Sequence, residues 1–189
     1  DYSTFEVHLL DPSGKLRKLP FPQALKSFGV QGASARHVFV QLAQDAVIDG
    51  KPYAAETLLA YDISDGVPDA QRVSAAYVPA DGEFVDPASG GLAANRDELL
   101  LIANNSLRQR VLAATFSSTG WTQRDVMQIE PGNTVTLRAD ERDRDEFVAS
   151  IAGFVTPRSQ YLVHGDGRRQ LLAQDPSMTD SSGFTTEIG

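Results

Sequence analysis

An all-β fold of successive four-stranded blades, a partial β-propeller, is what three features of this sequence predict. Strand-like runs at residues 4–10, 57–62, 110–115 and 160–164 return about every 50 residues, a period that fits propeller blades. Each run is followed within a few residues by glycine-containing turn chemistry. Continuous apolar runs such as Leu99-Leu100-Leu101-Ile102 suit inner strands sandwiched between neighbouring sheets, because both faces are covered there. The chain has 189 residues, 41% hydrophobic and 22% charged. That is enough to bury a core and too apolar for a disordered tail.

Taken in order, the first segment reads as a hairpin. Residues 5–10 and 16–19 flank the turn Asp11-Pro12-Ser13-Gly14, in which Pro12 presets one dihedral and Gly14 can take a positive φ. Pro20 and Pro22 then stop strand pairing and mark a crossing to the next sheet. Gln23-Ala24-Leu25-Lys26 has adequate helix propensity, so residues 22–28 are compatible with a helix too short to change the class. The second sheet is expected from residues 28–30, 37–42, 57–63 and 72–78, with Asp49-Gly50 and Ser64-Asp65-Gly66 as turn signals. A third sheet takes residues 91–94, 98–103, 108–116 and 126–129, and a fourth takes 135–137, 146–151, 160–164 and 170–173. Because the first segment supplies only a final hairpin, the count is about three and a half blades, roughly half of a seven-bladed ring.

Composition removes several function classes. The net charge of -8 leaves no basic footprint for phosphate, so nucleic acid is not an expected partner. Arg168-Arg169 and the dispersed arginines read as solvated strand edges. With no cysteine, disulfides, thiolate catalysis and Cys-ligated metals are excluded, and the chain suits the cytoplasm and the periplasm equally. No apolar run approaches the roughly 20 residues of a membrane helix, and Asp1-Tyr2-Ser3-Thr4 lacks the character of a signal peptide. A soluble protein with no membrane partner is the expectation.

No catalytic, cofactor-binding or metal-ligating residue is assigned within the chain. His8, His37 and His164 are far apart in sequence and lack the spacing of a triad or zinc site, so they read as strand histidines. Asp140-Glu141-Arg142-Asp143-Arg144-Asp145-Glu146 offers carboxylates in a calcium-like rhythm, but the interleaved arginines neutralise it and no glycine supplies a chelating turn. It reads as a solvated connection. Gly165-Asp166-Gly167 follows a strand without a helix after it, which makes it a hairpin turn rather than a phosphate cradle. Tyr53 and Trp121 could stack on a ligand, but packing is their expected use. Ser117-Ser118-Thr119-Gly120 reads as a loop.

Three passages carry a resemblance. The first is Phe39-Val40-Gln41-Leu42 with Asp45, then Ile48-Asp49-Gly50-Lys51-Pro52-Tyr53 and Leu58-Leu59-Ala60-Tyr61-Asp62. The second is Glu146-Phe147-Val148 followed by Gly153-Phe154-Val155-Thr156-Pro157 and Tyr161. The third runs from Gln174-Asp175-Pro176 through Asp180 to Phe184-Thr185-Thr186-Glu187. In this order they resemble the propeller domain of the prolyl oligopeptidase family of serine peptidases and the linker that leaves it. Departures are Ala46 where the family usually has Trp, Glu56 where Gly is common, and Gly153 where Ser precedes the Phe.

The resemblance implies an α/β-hydrolase peptidase domain with a Ser-Asp-His triad, joined to a seven-bladed propeller that admits only short peptides. In that family all three catalytic residues lie downstream of the propeller, and the Gly-x-Ser-x-Gly elbow of the nucleophile does not occur here. Residues 1–175 are then a partial propeller and 176–189 a linker toward a peptidase domain absent from this chain. Its partners would be that domain of the same protein and the short peptide substrates of the parent hydrolase. The segment itself would do no chemistry and hold no cofactor. Two other classes stay open on the residues alone: a free-standing all-β module binding carbohydrate or peptide, and a structural repeat. An incomplete ring is further expected to expose apolar blade flanks, at roughly 25 cal/mol per Å² left in water, and so to self-associate or to be held by the rest of its own enzyme.

Overall fold

In the computed structural model the described residues are 6–10, 13–19, 25–34, 36–86, 90–94, 98–106, 108–139 and 145–177. They are organised in two compact units, Asp1–Val78 and Pro79–Gly189. Among them the only helical element is a single 3-10 turn, Asp69–Gln71.

The first unit opens on the expected hairpin, β1 (His8–Leu10) against β2 (Leu16–Lys18). Gly14 at φ +84 supplies the left-handed turn residue. The elements that follow are β3 (Leu25–Ala33), β4 (His37–Leu42), β5 (Ala46–Ile48), β6 (Lys51–Tyr53), β7 (Leu58–Asp62) and β8 (Val73–Tyr77). They form an antiparallel sheet in the order β3-β4-β7-β8 and a separate β5-β6 hairpin. Residues 25–28 are strand, so the compatible helix does not form there; residues 22–24, Pro20 and Pro22 lie outside the described residues.

All residues of β4 and β7 are buried, as continuous apolar inner strands require. One face of the sheet, Val38, Val40, Leu42, Leu59, Tyr61 and Val73, packs with Val7 and Leu19 flanking the first hairpin. The β5-β6 hairpin was foreseen only as a turn. Its two central residues, Asp49 at φ 50 and Gly50 at φ 76, have the paired positive φ of a type I′ turn, whose twist matches that of the flanking strands.

The second unit contains β9 (Glu83–Val85), β10 (Leu92–Ala94), β11 (Glu98–Asn105), β12 (Arg108–Ser117), β13 (Gly120–Gln128), β14 (Asn133–Arg138), β15 (Glu146–Gly153), β16 (Ser159–His164) and β17 (Arg169–Gln174). Two meandering antiparallel sheets result, β10-β11-β12-β13 and β14-β15-β16-β17, with β9 paired to the far end of β11. The sheets stack through one core. Leu100, Ile102, Val111, Ala113 and Met127 of the first meet Val135, Leu137, Phe147, Ala149 and Val163 of the second.

Polar bonds fix the stacking. The Leu137 N–H donates to the Gly90 carbonyl at 2.8 Å, and the Val135 N–H donates to Gln109 Oε1 at 2.8 Å. Because successive strands reverse direction, the β11–β12 and β15–β16 connections and the entries to β10 and β14 share one end of this unit. The β12–β13 and β16–β17 hairpin turns share the other.

Two departures noted in the sequence acquire physical reasons. Glu56 sits at φ +66, the left-handed region where glycine costs least. Here a glutamate is held in it: its N–H donates to the Leu42 carbonyl at 3.0 Å, and Gln41 Nε2 donates to its carboxylate at 3.3 Å. At Gly153 a Cβ would lie 1.9 Å from Asn133 Oδ1, so this backbone and a serine side chain exclude one another unless Asn133 moves.

Candidate functional site

A dense polar cluster lies in the first unit, where β4 and β7 pair His37 with Asp62. Asp62 accepts from Arg36 Nε at 3.0 Å, Arg36 Nη2 at 2.9 Å and the Ser64 N–H at 2.8 Å. His37 Nε2 stands 4.0 Å from Asp62 Oδ2, with both side chains about 5% exposed. Arg72 is buried as well: Nη1 donates to the Asp62 carbonyl at 2.7 Å and the Ser64 carbonyl at 2.9 Å, and its guanidinium lies 5.8 Å from the Tyr61 ring centre. The reading of the dispersed arginines as solvated edges therefore fails at Arg72. An arginine that leaves a short 3-10 turn just before a strand gives no local sign that carbonyls eight and ten residues upstream will need its donors.

An Asp-His pair is two thirds of a hydrolytic triad, but this one is closed to any substrate by its burial. It is a structural device with a pH response. Burial, outweighing the attraction of Asp62, pushes the His37 imidazole down to about 4, with Arg36 acting in the same direction. Burial pushes Asp62 up, yet the Ser64 and Arg36 hydrogen bonds prevail and hold its carboxyl below the usual value. Both folded values thus lie below their unfolded ones, so both contribute stability at neutral pH and lose it as pH falls.

For His37 the loss begins near the ordinary histidine value of 6.5 and is complete below about 4. It amounts to on the order of 3 kcal/mol. Urea titrations between pH 7 and pH 4 should follow that limb, and His37→Gln should flatten it. An unchanged slope in the variant would remove His37 from the response.

The other histidines have carboxylate neighbours at the surface. His8 lies 3.2 Å from Glu6, which also accepts from Lys18. His164 Nδ1 lies 2.9 Å from Glu146 Oε1, in a shallow depression lined by Asp145, Glu146, His164, Gly165, Asp166 and Arg168. That lining contains no hydroxyl nucleophile. Of the acidic run, residues 140–144 lie outside the described residues, and among the described residues no group of three or more metal-ligating side chains is arranged around a common point.

The remaining residues of interest are structural. Gly165-Asp166-Gly167 is a hairpin turn, closed by the Gly167 N–H on the His164 carbonyl at 2.8 Å. Ser117 and Gly120 pair across the β12–β13 turn, and Ser117 Oγ donates to the Gly120 carbonyl at 3.1 Å. Trp121 packs on its cross-strand partner Phe116 at 5.2 Å. Tyr53 donates to the Val73 carbonyl at 3.3 Å and packs against the first core.

Two networks escaped sequence reasoning because their members are far apart in the chain. Arg110 bridges Glu83 at 2.9 Å and Asp125 at 3.0 Å, and Arg124 grips Glu98 at 2.8 Å.

The outer face of the last sheet forms a half-open groove of about 440 Å³. Its lining is Thr134, Thr136, Arg138, Val148, Ser150, Ala152, Arg158 and Gln160. The corresponding face of the preceding sheet is apolar and covered. Alternation along β14 points Val135 and Leu137 into the core and leaves Thr134, Thr136 and Arg138 on the groove side, where they stand beside Val148 and Ala152.

No family model and no curated protein matches this sequence. Among solved structures the chain is similar to a post-proline cleaving enzyme from Rickettsia typhi, with 16% identity and a TM-score of 0.71 over 95% of this chain and 26% of that one. It is similar to oligopeptidase B from Leishmania major, with 18% identity and a TM-score of 0.63 over 89% of this chain and 24% of that one. Oligopeptidase B from Trypanosoma brucei, with covalently bound antipain in a closed form, matches at 16% identity and a TM-score of 0.67 over 93% and 25%. The chain spans about a quarter of the length of the structures it matches. At this identity the likeness establishes the fold: the chain is all-β, with the fold of part of a prolyl-oligopeptidase-type β-propeller.

Proposed function

We propose that this chain is the C-terminal part of the propeller of a prolyl-oligopeptidase-like serine peptidase, and that it limits access of peptides to a catalytic domain it does not itself contain. The observation that carries the reading is the fold likeness: nearly the whole chain matches these peptidases, and it occupies about a quarter of each. Sequence agrees with it, through the ordered passages at residues 39–62 and 146–161. In this reading residues 1–175 are propeller and 176–189 a linker into the peptidase domain. The substrates of the parent enzyme are short peptides, because a packed ring excludes folded chains.

The chemistry belongs to the other domain. Each described histidine has a carboxylate neighbour, buried at His37 and at the surface for His8 and His164, and no nucleophile elbow occurs in the sequence. A fluorophosphonate probe separates the two parts. The natural polypeptide should be labelled on one serine outside residues 1–189, and this chain alone should take up no label. Labelling of any serine within the 189 residues would contradict the assignment.

A further inference from the structure

The outer strands of the three large sheets differ in chemistry. In β8, Val73, Ala76 and Tyr77 are buried. The middle of β13 is exposed and charged, and its charges are spent within the chain, Arg124 on Glu98 at 2.8 Å and Asp125 on Arg110 at 3.0 Å. β17 is exposed at every position and carries Leu171 and Leu172 at its centre, each 50% exposed.

Among the described residues β17 pairs with β16 alone. Gln160 faces Ala173 and Tyr161 faces Leu171, which leaves Leu172 as the extra residue of a bulge. A bulge breaks the alternation of side chains, and neither leucine is buried. An edge that sets free backbone groups beside apolar side chains is a template for another strand. Charge gives this template a direction. Arg169 opens the strand and Asp175 follows its last residue. Both are exposed, and neither side chain is in an ion pair among the described residues, whereas Arg168 is held by Asp166 at 2.5 Å.

We propose that β17 is a self-association edge, to which a second copy of this chain adds its own β17 antiparallel across a two-fold axis near Leu171-Leu172. The occupant follows from charge complementarity. Antiparallel pairing centred on the leucines sets the Arg169 end of each strand beside the Asp175 end of the other, twice per dimer. Parallel pairing would set like charge against like. The net charge of -8 opposes the meeting of two copies, so the attraction has to be local, and these two side chains with the leucines between them supply it. A two-fold contact of this kind uses each edge once and closes on itself. Six residues give a contact only about 20 Å long, which is short of a standard interface, so the dimer is weak, with dissociation on the order of 10 µM. The contact lies within one strand and requires no catalytic domain.

The experiment is sedimentation equilibrium of the full natural polypeptide, alone and with Arg169→Glu or Asp175→Arg. The wild type should be a monomer in reversible exchange with a dimer. Each variant alone brings two pairs of like charges together and should dimerise about tenfold more weakly. Mixed in equal amounts, the two variants should associate as the wild type does, because each supplies the charge that the other has reversed. Both substitutions lie on exposed side chains, so both variants should melt with the wild type. A wild type that stays monomeric, variants that dimerise undiminished, or a mixture no stronger than its components overturns the proposal. So does a monomer whose β17 amides resist hydrogen exchange, since its edge is then covered by its own chain. A variant that unfolds would make its residue structural and end the proposal as well.

Discussion

Truncation of Leu100 to alanine is expected to destabilise the second unit by about 3 kcal/mol. Leu100 is 0% exposed and sits where β11 faces the following sheet. The alanine would leave a void in the core that Leu100 shares with Ile102, Val111, Val135, Leu137 and Phe147. Two stacked sheets cannot close such a gap without moving the Val135 and Leu137 backbone, which is tied to Gln109 and Gly90. The cost therefore includes the cavity as well as the lost transfer energy. Trp121, the single tryptophan, lies in β13 of the same unit, so its fluorescence in a urea titration follows the right transition. A loss below about 1 kcal/mol would mean that the sheets are not packed face to face as described.

Gly91→Ala is the second large effect, again about 3 kcal/mol in the second unit. The added Cβ would lie 2.4 Å from the Asp86 carbonyl oxygen and 3.2 Å from its carbon, both backbone atoms that cannot rotate away. Relief would displace the strand entry whose Gly91 carbonyl accepts the Ile102 N–H at 2.7 Å, and with it the Gly90 bond to the next sheet. Gly82→Ala is the control, because Gly82 has φ +73 and nothing within 4 Å of a new Cβ. Only the left-handed backbone is penalised there, at about 1 kcal/mol. Equal losses in the two variants would show that crowding at Gly91 is not what matters.

What the sequence made legible was whatever repeats locally. Leu99–Ile102 and residues 37–42 announced inner strands because apolar residues on consecutive positions suit only a strand buried on both faces. The hairpin turns were marked by Asp49-Gly50 and Gly165-Asp166-Gly167 for conformational reasons that operate within four residues.

The misses are elements whose support is non-local. β9 is three residues long and exists because it pairs with Ala103–Asn105. β13 was expected only over residues 126–129, but it begins at Gly120. Its stretch Thr122-Gln123-Arg124-Asp125 is exposed, and outer strands need no apolar alternation when β12 supplies the hydrogen bonds and Glu98 pairs with Arg124. The β5-β6 hairpin hid behind its shortness and behind Pro52, which is tolerated because β6 has only one partner strand.

The site followed the same division. That His8, His37 and His164 would lie in strands could be read from the residues around them. That His37 would lie beside Asp62, and that Arg72 would be buried to serve two turn carbonyls, depends on the pairing of β4, β7 and β8. The glutamate at Glu56 marked a departure in a motif before it was seen to occupy a left-handed position.

The most direct measurement is the intact mass of the natural polypeptide that contains these residues, by native and denaturing mass spectrometry. This segment accounts for 20.4 kDa and for about a quarter of each solved structure it resembles. A single chain roughly four times heavier, with a fluorophosphonate-reactive serine beyond Gly189, is the expected result. A folded natural product near 20.4 kDa would contradict the assignment of this chain as the access-limiting part of a larger peptidase.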